Sequence, residues 1–200
     1  MTEELHSKEH IEQANQILSC AYLVAVGDAQ LASEECAELE NIRPLINRLL
    51  EMREAVEHYE ATGDLEEALE MFPADSIDIF VFGEGNGLAL PKGLPPFLSD
   101  LHEERSSLKE VDEIITLEKF EASKINDSYL QKIALLICQQ VCGADGEISD
   151  GEVISMFNMC EKWGLKIEGA RNWLNDILDP VLFGNVDAEG DETENYKYDV

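Results

Sequence analysis

Across residues 8–26 apolar side chains recur at Ile11, Ala14, Ile17, Leu18, Ala21, Tyr22 and Ala25, a helical spacing. The same spacing returns through most of the chain, so it predicts an all-α, mostly helical fold. After the turn VGDAQL, helical patterning resumes at Ser33. Pro44 lacks an N–H and disfavours helical geometry at Arg43, so it begins a new segment or kinks the old one. That segment runs to about Glu60, Thr62-Gly63-Asp64 stops it, and the short helix LEEALEMF follows. Further helices are expected from about Ser107 (SSLKEVDEIITLEKF), from Asp127 (DSYLQKIALLICQQVCGA), over GEVISMFNMCEKW and over IEGARNWLNDIL. Gly164 closes the third of these, and Asp179-Pro180 is expected to end the last.

Residues 73–97 break the pattern, with four of the chain's six prolines. Ile77 to Phe82 has strand-like content and Gly83 to Gly87 is a turn signal, so a small β-hairpin insertion is expected, with Leu88 to Leu90 as its return strand. The end of the chain, residues 185–200, is acidic and poor in apolar residues, and a disordered tail is expected. The organisation that follows is one helical domain over residues 1–184. Its first half is 8–60, its insert 73–97 and its second half 107–179.

Charge narrows the partners. Forty-three acidic side chains against 14 basic ones leave a formal charge of −29. Such a surface repels nucleic acid and anionic membranes and attracts divalent cations and basic protein surfaces. The polar, acidic start fits neither a signal nor a transit peptide, which points to the cytoplasm. The apolar runs Ile17–Val26 and Ile133–Val141 are too short to span a bilayer and read as buried helices. The five cysteines (20, 36, 138, 142 and 160) are odd in number, lack a C-x-x-C pair and lie in apolar helical contexts. They read as reduced core thiols.

A weak internal repeat runs through the helices. Shifted by 117 positions, Leu18–Glu35 overlays Leu135–Glu152, so that Asp28 meets Asp145, Leu31 meets Ile148 and Glu35 meets Glu152. The second turn, GADGEISDGE, resembles the back half of a calcium loop. With Asp145 as fifth ligand position, Gly146 is the glycine and Glu152 the closing carboxylate, but Val141 and Gly143 then fall where side-chain oxygens are needed. A standard EF-hand is therefore excluded. Asp145, Glu147 and Glu152, with Asp150 nearby, still suffice for a weak or shared site, with Ca²⁺ the expected ion. A purely structural reading stands beside it. Ser149 and Glu152 form a capping box, Ile148 and Val153 a hydrophobic staple, and Gly146 supplies left-handed backbone.

An apolar helix, then A-D-G-E-I-S-x-x-E, then an amphipathic helix ending in W-G-L resembles the TerB-like tellurite-resistance domains over residues 126–178, and through the repeat over residues 8–60. The resemblance implies two related helical halves, an acidic cluster for divalent cations, and a non-catalytic cytoplasmic role in stress response, at the membrane through protein partners. Carried onto this chain, the acidic positions are Asp145, Glu147 and Glu152, with Asp28 and Glu35 in the first copy. Ala29 and Gln30 depart from the pattern, standing where it has glycine and an acid.

No enzyme constellation is visible. His6-x-x-Glu9-His10 fits a zinc-peptidase pattern but starts a terminal helix, and Gly83-x-Gly85-x-Gly87 is too tightly spaced for a dinucleotide loop. His58 and His102 are expected at the surface, and Trp163 and Trp173 in the core. The competing function class is an acidic interaction module, such as an inhibitor, an immunity protein or a nucleic-acid mimic, that binds a basic partner through its charge.

Overall fold

The computed structural model describes residues 2–71 and 96–183. Its helices are α1 (Thr2–Ala25), α2 (Ser33–Asn41), α3 (Arg43–Glu51), α4 (Arg53–Thr62), α5 (Leu65–Met71), α6 (Ser99–Ser107), α7 (Val111–Ala122), α8 (Ser128–Cys142), α9 (Asp150–Trp163), α10 (Ile167–Trp173) and α11 (Asp179–Phe183). Among the described residues there is no strand, as the periodicity requires. The expected hairpin strands and the acidic tail lie outside the described residues. No helix among the described residues is long and apolar enough to cross a membrane. The described residues divide into two compact units, residues 2–53 with 96–171, and residues 54–71 with 172–183.

In the first unit α1 is the central element, in contact with α2, α3, α7, α8 and α9. Cys20, Ala21, Tyr22, Leu23 and Val24 are all fully buried, and five consecutive residues cover every side of a helix. Opposite them α8 supplies Ile133, Ala134, Ile137, Cys138 and Val141, equally buried. Specific polar contacts fix the packing. Asp127 caps α8 through Leu130 N–H at 3.0 Å and pairs with Arg53 at 2.7 Å. The Trp163 indole donates to Ala122 O at 2.8 Å. Glu118, only 2% exposed, accepts from the Ser155 hydroxyl at 2.6 Å and the Asn158 amide at 2.8 Å, which ties α7 to α9. A buried carboxylate is tolerated when its oxygens are satisfied in this way.

The second unit holds α5 against α11, with Ala68, Leu178 and Val181 among its buried residues. Gly63, at φ +72°, ends α4 as Thr62-Gly63-Asp64 predicts.

Three boundaries differ from expectation, the first being a break at Met52 that divides the expected segment from Pro44 to Glu60 into α3 and α4. Helix α6 precedes the expected start at Ser107, and helical structure lapses between Ser107 and Val111. Only Leu101 and Arg105 of α6 are buried, so its sequence carries almost no amphipathic signal. Nor does Asp179-Pro180 end the last helix. A π-helical turn over Leu174–Leu178 leads straight into α11, and Asp179 keeps helical geometry at φ −58° and ψ −44°. Pro180 follows directly on this turn, where the wider π-helical pattern has already replaced the i→i−4 ladder that its missing N–H would interrupt. Pro44 sits in the first turn of α3, after Ile42.

Candidate functional site

The two acidic turns leave the ends of α1 and α8, and their local geometry follows from short-range hydrogen bonding. Asp28 Oδ1 accepts from Gln30 N–H at 2.9 Å, and Asp145 Oδ1 accepts from Glu147 N–H at 3.0 Å. The residue after each aspartate is left-handed, Ala29 at φ +67° and Gly146 at φ +91°. Three residues into the following helix a glutamate reaches back. Glu35 Oε2 accepts from Ala32 N–H at 2.7 Å, and Glu152 Oε2 from Ser149 N–H at 2.5 Å. Ser149 completes its capping box by accepting from Glu152 N–H at 3.3 Å, whereas Ala32 has no hydroxyl to do so. The departures at Ala29 and Gln30 therefore leave the turn's conformation unchanged.

What brings the turns together is a backbone crossing. A Cβ on Gly27 would lie 2.6 Å from Gly151 O, and one on Gly151 would lie 2.7 Å from Asp28 N. The exit of α1 thus runs directly against the first turn of α9, with room for hydrogen only.

A polar cavity of about 200 Å³ results, lined by Asp28, Gln30, Leu31, Ala32 and Glu35 from the first turn and Asp145, Glu147, Ile148, Ser149 and Glu152 from the second. Each lining residue of one turn has its counterpart 117 positions away in the other. All five sequence-predicted carboxylates border this space. They are not equivalent, however. Asp28, Asp145 and Glu147 are exposed at the rim, while Glu35 and Glu152 are each 4% exposed.

Beside the two glutamates lies a cysteine expected in the core. Cys142 ends α8, is fully buried, and places Sγ within 4.8 Å of a carboxylate oxygen of Glu35 and of Glu152. Its position three residues before Asp145, one helical turn, was the available signal. The cysteines are otherwise as expected, free throughout and buried except for Cys36, which is half-buried.

The electrostatics reflect the crowding. Burial, then a hydrogen bond with Glu152, pushes the Glu35 carboxyl up to about 8, partly offset by the Ala32 N–H. Burial thus favours the protonated form of Glu35. Burial and the neighbouring Glu152 and Glu35 carboxylates hold the Cys142 thiol far above its usual value. As it stands the cluster is a hydrogen-bonded set of carboxyl groups and an inert thiol, with no activated nucleophile.

Other candidates are placed as follows. His102 is exposed and bonds the Tyr22 hydroxyl at 2.7 Å, and His58 is half-buried and pairs with Glu67 at 3.1 Å. Trp173 is 6% exposed, and Trp163 is half-buried. No protein-family model matches the chain, and no curated protein and no solved structure matches it either.

Proposed function

We propose that the chain is a non-catalytic accessory protein of the TerB-like type, built of two related helical halves and tuned by a divalent cation held between its two acidic turns. One observation carries the reading: carboxylates 117 residues apart converge on one small cavity, with the Glu35, Cys142 and Glu152 ligand atoms within 4.8 Å of one another. Ligands at about 2.3–2.6 Å from a shared Ca²⁺ lie at most about 5 Å apart, so the buried trio is already at ligating separation. Asp28 and Asp145 each spend one oxygen on their own turn and keep the other for an ion or its waters. Calcium would use the oxygens. Zinc would recruit the Cys142 sulfur as well.

Mechanistically, the buried Glu35 proton stands where a cation's charge would go. Exchange of one for the other would fix the α1–α2 and α8–α9 turns against each other, and with them the helices that present the surface to partners. The cytoplasmic stress-response assignment rests on the A-D-G-E-I-S-x-x-E resemblance alone. Calorimetry and melting curves with calcium, magnesium and zinc test the cation reading. A response abolished in Asp145→Asn/Glu152→Gln supports it, and an unresponsive wild type or an unchanged response in that variant would sink it.

The charge of −29 favours a second reading, since five carboxylates explain little of it. In that reading the acidic surface is itself the function and binds a basic protein with strong salt dependence.

A further inference from the structure

Away from the cation cavity, α6 and α7 enclose an open groove of about 560 Å³ whose apolar floor is Leu108, Leu117 and Phe120. Phe120 is 58% exposed, one of several large apolar side chains left open to solvent. Glu104, Asp112 and Glu113 form the rim; all three are exposed, and none is in an ion pair among the described residues. Lys109 is the sole basic residue between Ser107 and Thr116. The nearby Lys124 ammonium lies 4.9 Å from the Phe120 ring centroid and is held by Glu121 at 2.6 Å.

We infer that this groove docks a basic amphipathic helix of a partner protein. The inference deepens the acidic-interaction reading and is independent of the cation site. Glu113 on the rim and Leu117 and Phe120 on the floor follow one face of α7 over seven residues, about 10 Å at 1.5 Å per residue, and Leu108 extends the floor beyond α7. That matches two turns of a docked helix with apolar anchors at i, i+3 or i+4, and i+7. Lysines or arginines flanking the anchors would meet the three rim carboxylates.

Charge decides against the other occupants. Residues 72–95 carry Asp75, Asp78 and Glu84 against Lys92 alone, and residues 184–200 are more acidic still. A second copy brings another −29. A basic partner complements both the apolar floor and its rim of carboxylates, which none of these segments does.

The test uses the full chain and a fluorescein-labelled leucine–lysine peptide of about four helical turns, with leucines on one face. A scrambled isomer of equal charge is the comparison, with salt at about 0.15 M to screen long-range attraction. The amphipathic peptide is expected to bind at least about tenfold more tightly than the isomer. Phe120→Asp makes the protein more acidic, yet is expected to erase that preference. Phe157→Asp, at an equally exposed phenylalanine on α9, and Asp145→Asn/Glu152→Gln are expected to leave it intact. Equal binding of the two peptides, salt-sensitive in both, would overturn the groove while leaving the acidic-interaction reading standing. No binding of either peptide would overturn both. Persistence of the preference in Phe120→Asp, equal loss in Phe157→Asp, or a dimer that Phe120→Asp dissolves would each overturn the groove.

Discussion

Gly27 and Gly151 meet backbone to backbone, with 2.6–2.7 Å available where either Cβ would stand. This contact sets the separation of the two acidic turns. It also gives a prediction with an inverted sign. Replacing a helical glycine by alanine normally stabilises by about 0.5–1 kcal/mol, and Gly151 is inside α9. Here Gly151→Ala is expected to destabilise by about 1–3 kcal/mol, as overpacking does, and Gly27→Ala to do the same. Urea melts of both variants measure this. A Gly151→Ala protein as stable as wild type would show that the crossing has slack.

The left-handed residues of the turns give a complementary pair. Ala29 at φ +67° carries a Cβ that this region disfavours by about 1–2 kcal/mol, and Gly146 at φ +91° does not. Ala29→Gly is expected to stabilise by about 0.5 kcal/mol, the strain relieved less the chain entropy glycine adds to the unfolded state. Gly146→Ala is expected to destabilise by about 1 kcal/mol for the same reason, because no atom lies within 4 Å of its added Cβ to contribute a clash. Thermal melts of the two variants, moving in opposite directions, are the check.

The helices and the turn chemistry were legible because they are local. Period, Pro44, Gly63, Gly146 and the Ser149–Glu152 box each act within a few residues. Asp28, Glu35, Asp145, Glu147 and Glu152 could be named from two matching turns. That they face one cavity could not, since it depends on the Gly27–Gly151 crossing of segments far apart in sequence. Cys142 is the buried, free thiol that its apolar helical context predicts; that it also lies beside Glu35 and Glu152 could not be told from a context shared with Cys138. Helix α6 was missed because packing around Leu101 and Arg105, rather than an apolar stripe, holds it. Pro180 was misread because a π-helical turn reset the register before it.

Glu35 makes stability pH-dependent in the direction opposite to most surface carboxylates. Its folded value of about 8 lies above the ordinary 4.5, so the folded state binds more protons than the unfolded between those values. Stability from this group is fully present below about pH 4.5 and is lost as pH rises through about 8. Glu35→Gln keeps the shape and the donor of the protonated form. The variant is expected to match wild type most closely below about pH 4.5 and to become progressively the more stable of the two as pH rises to 9. Melts of both proteins across that range measure the difference; parallel curves would remove Glu35 from the account.

The same proton predicts how cations bind. If an ion takes its place, binding below pH 8 must release it, and affinity should rise by up to about tenfold per pH unit until the Glu35 carboxyl is ionised. Titration calorimetry at pH 7 in buffers of different ionisation enthalpy should report about one proton released for calcium, and about two for zinc if the Cys142 thiol also ionises. Cys142→Ser separates the two chemistries. Calcium affinity is expected to stay within about threefold, because the oxygen donors remain, and zinc affinity to fall by about tenfold or more, because the soft ligand is gone. Calcium binding without proton release at pH 7 would place the ion at the exposed rim of Asp28, Asp145 and Glu147 and leave the buried glutamates as structural caps.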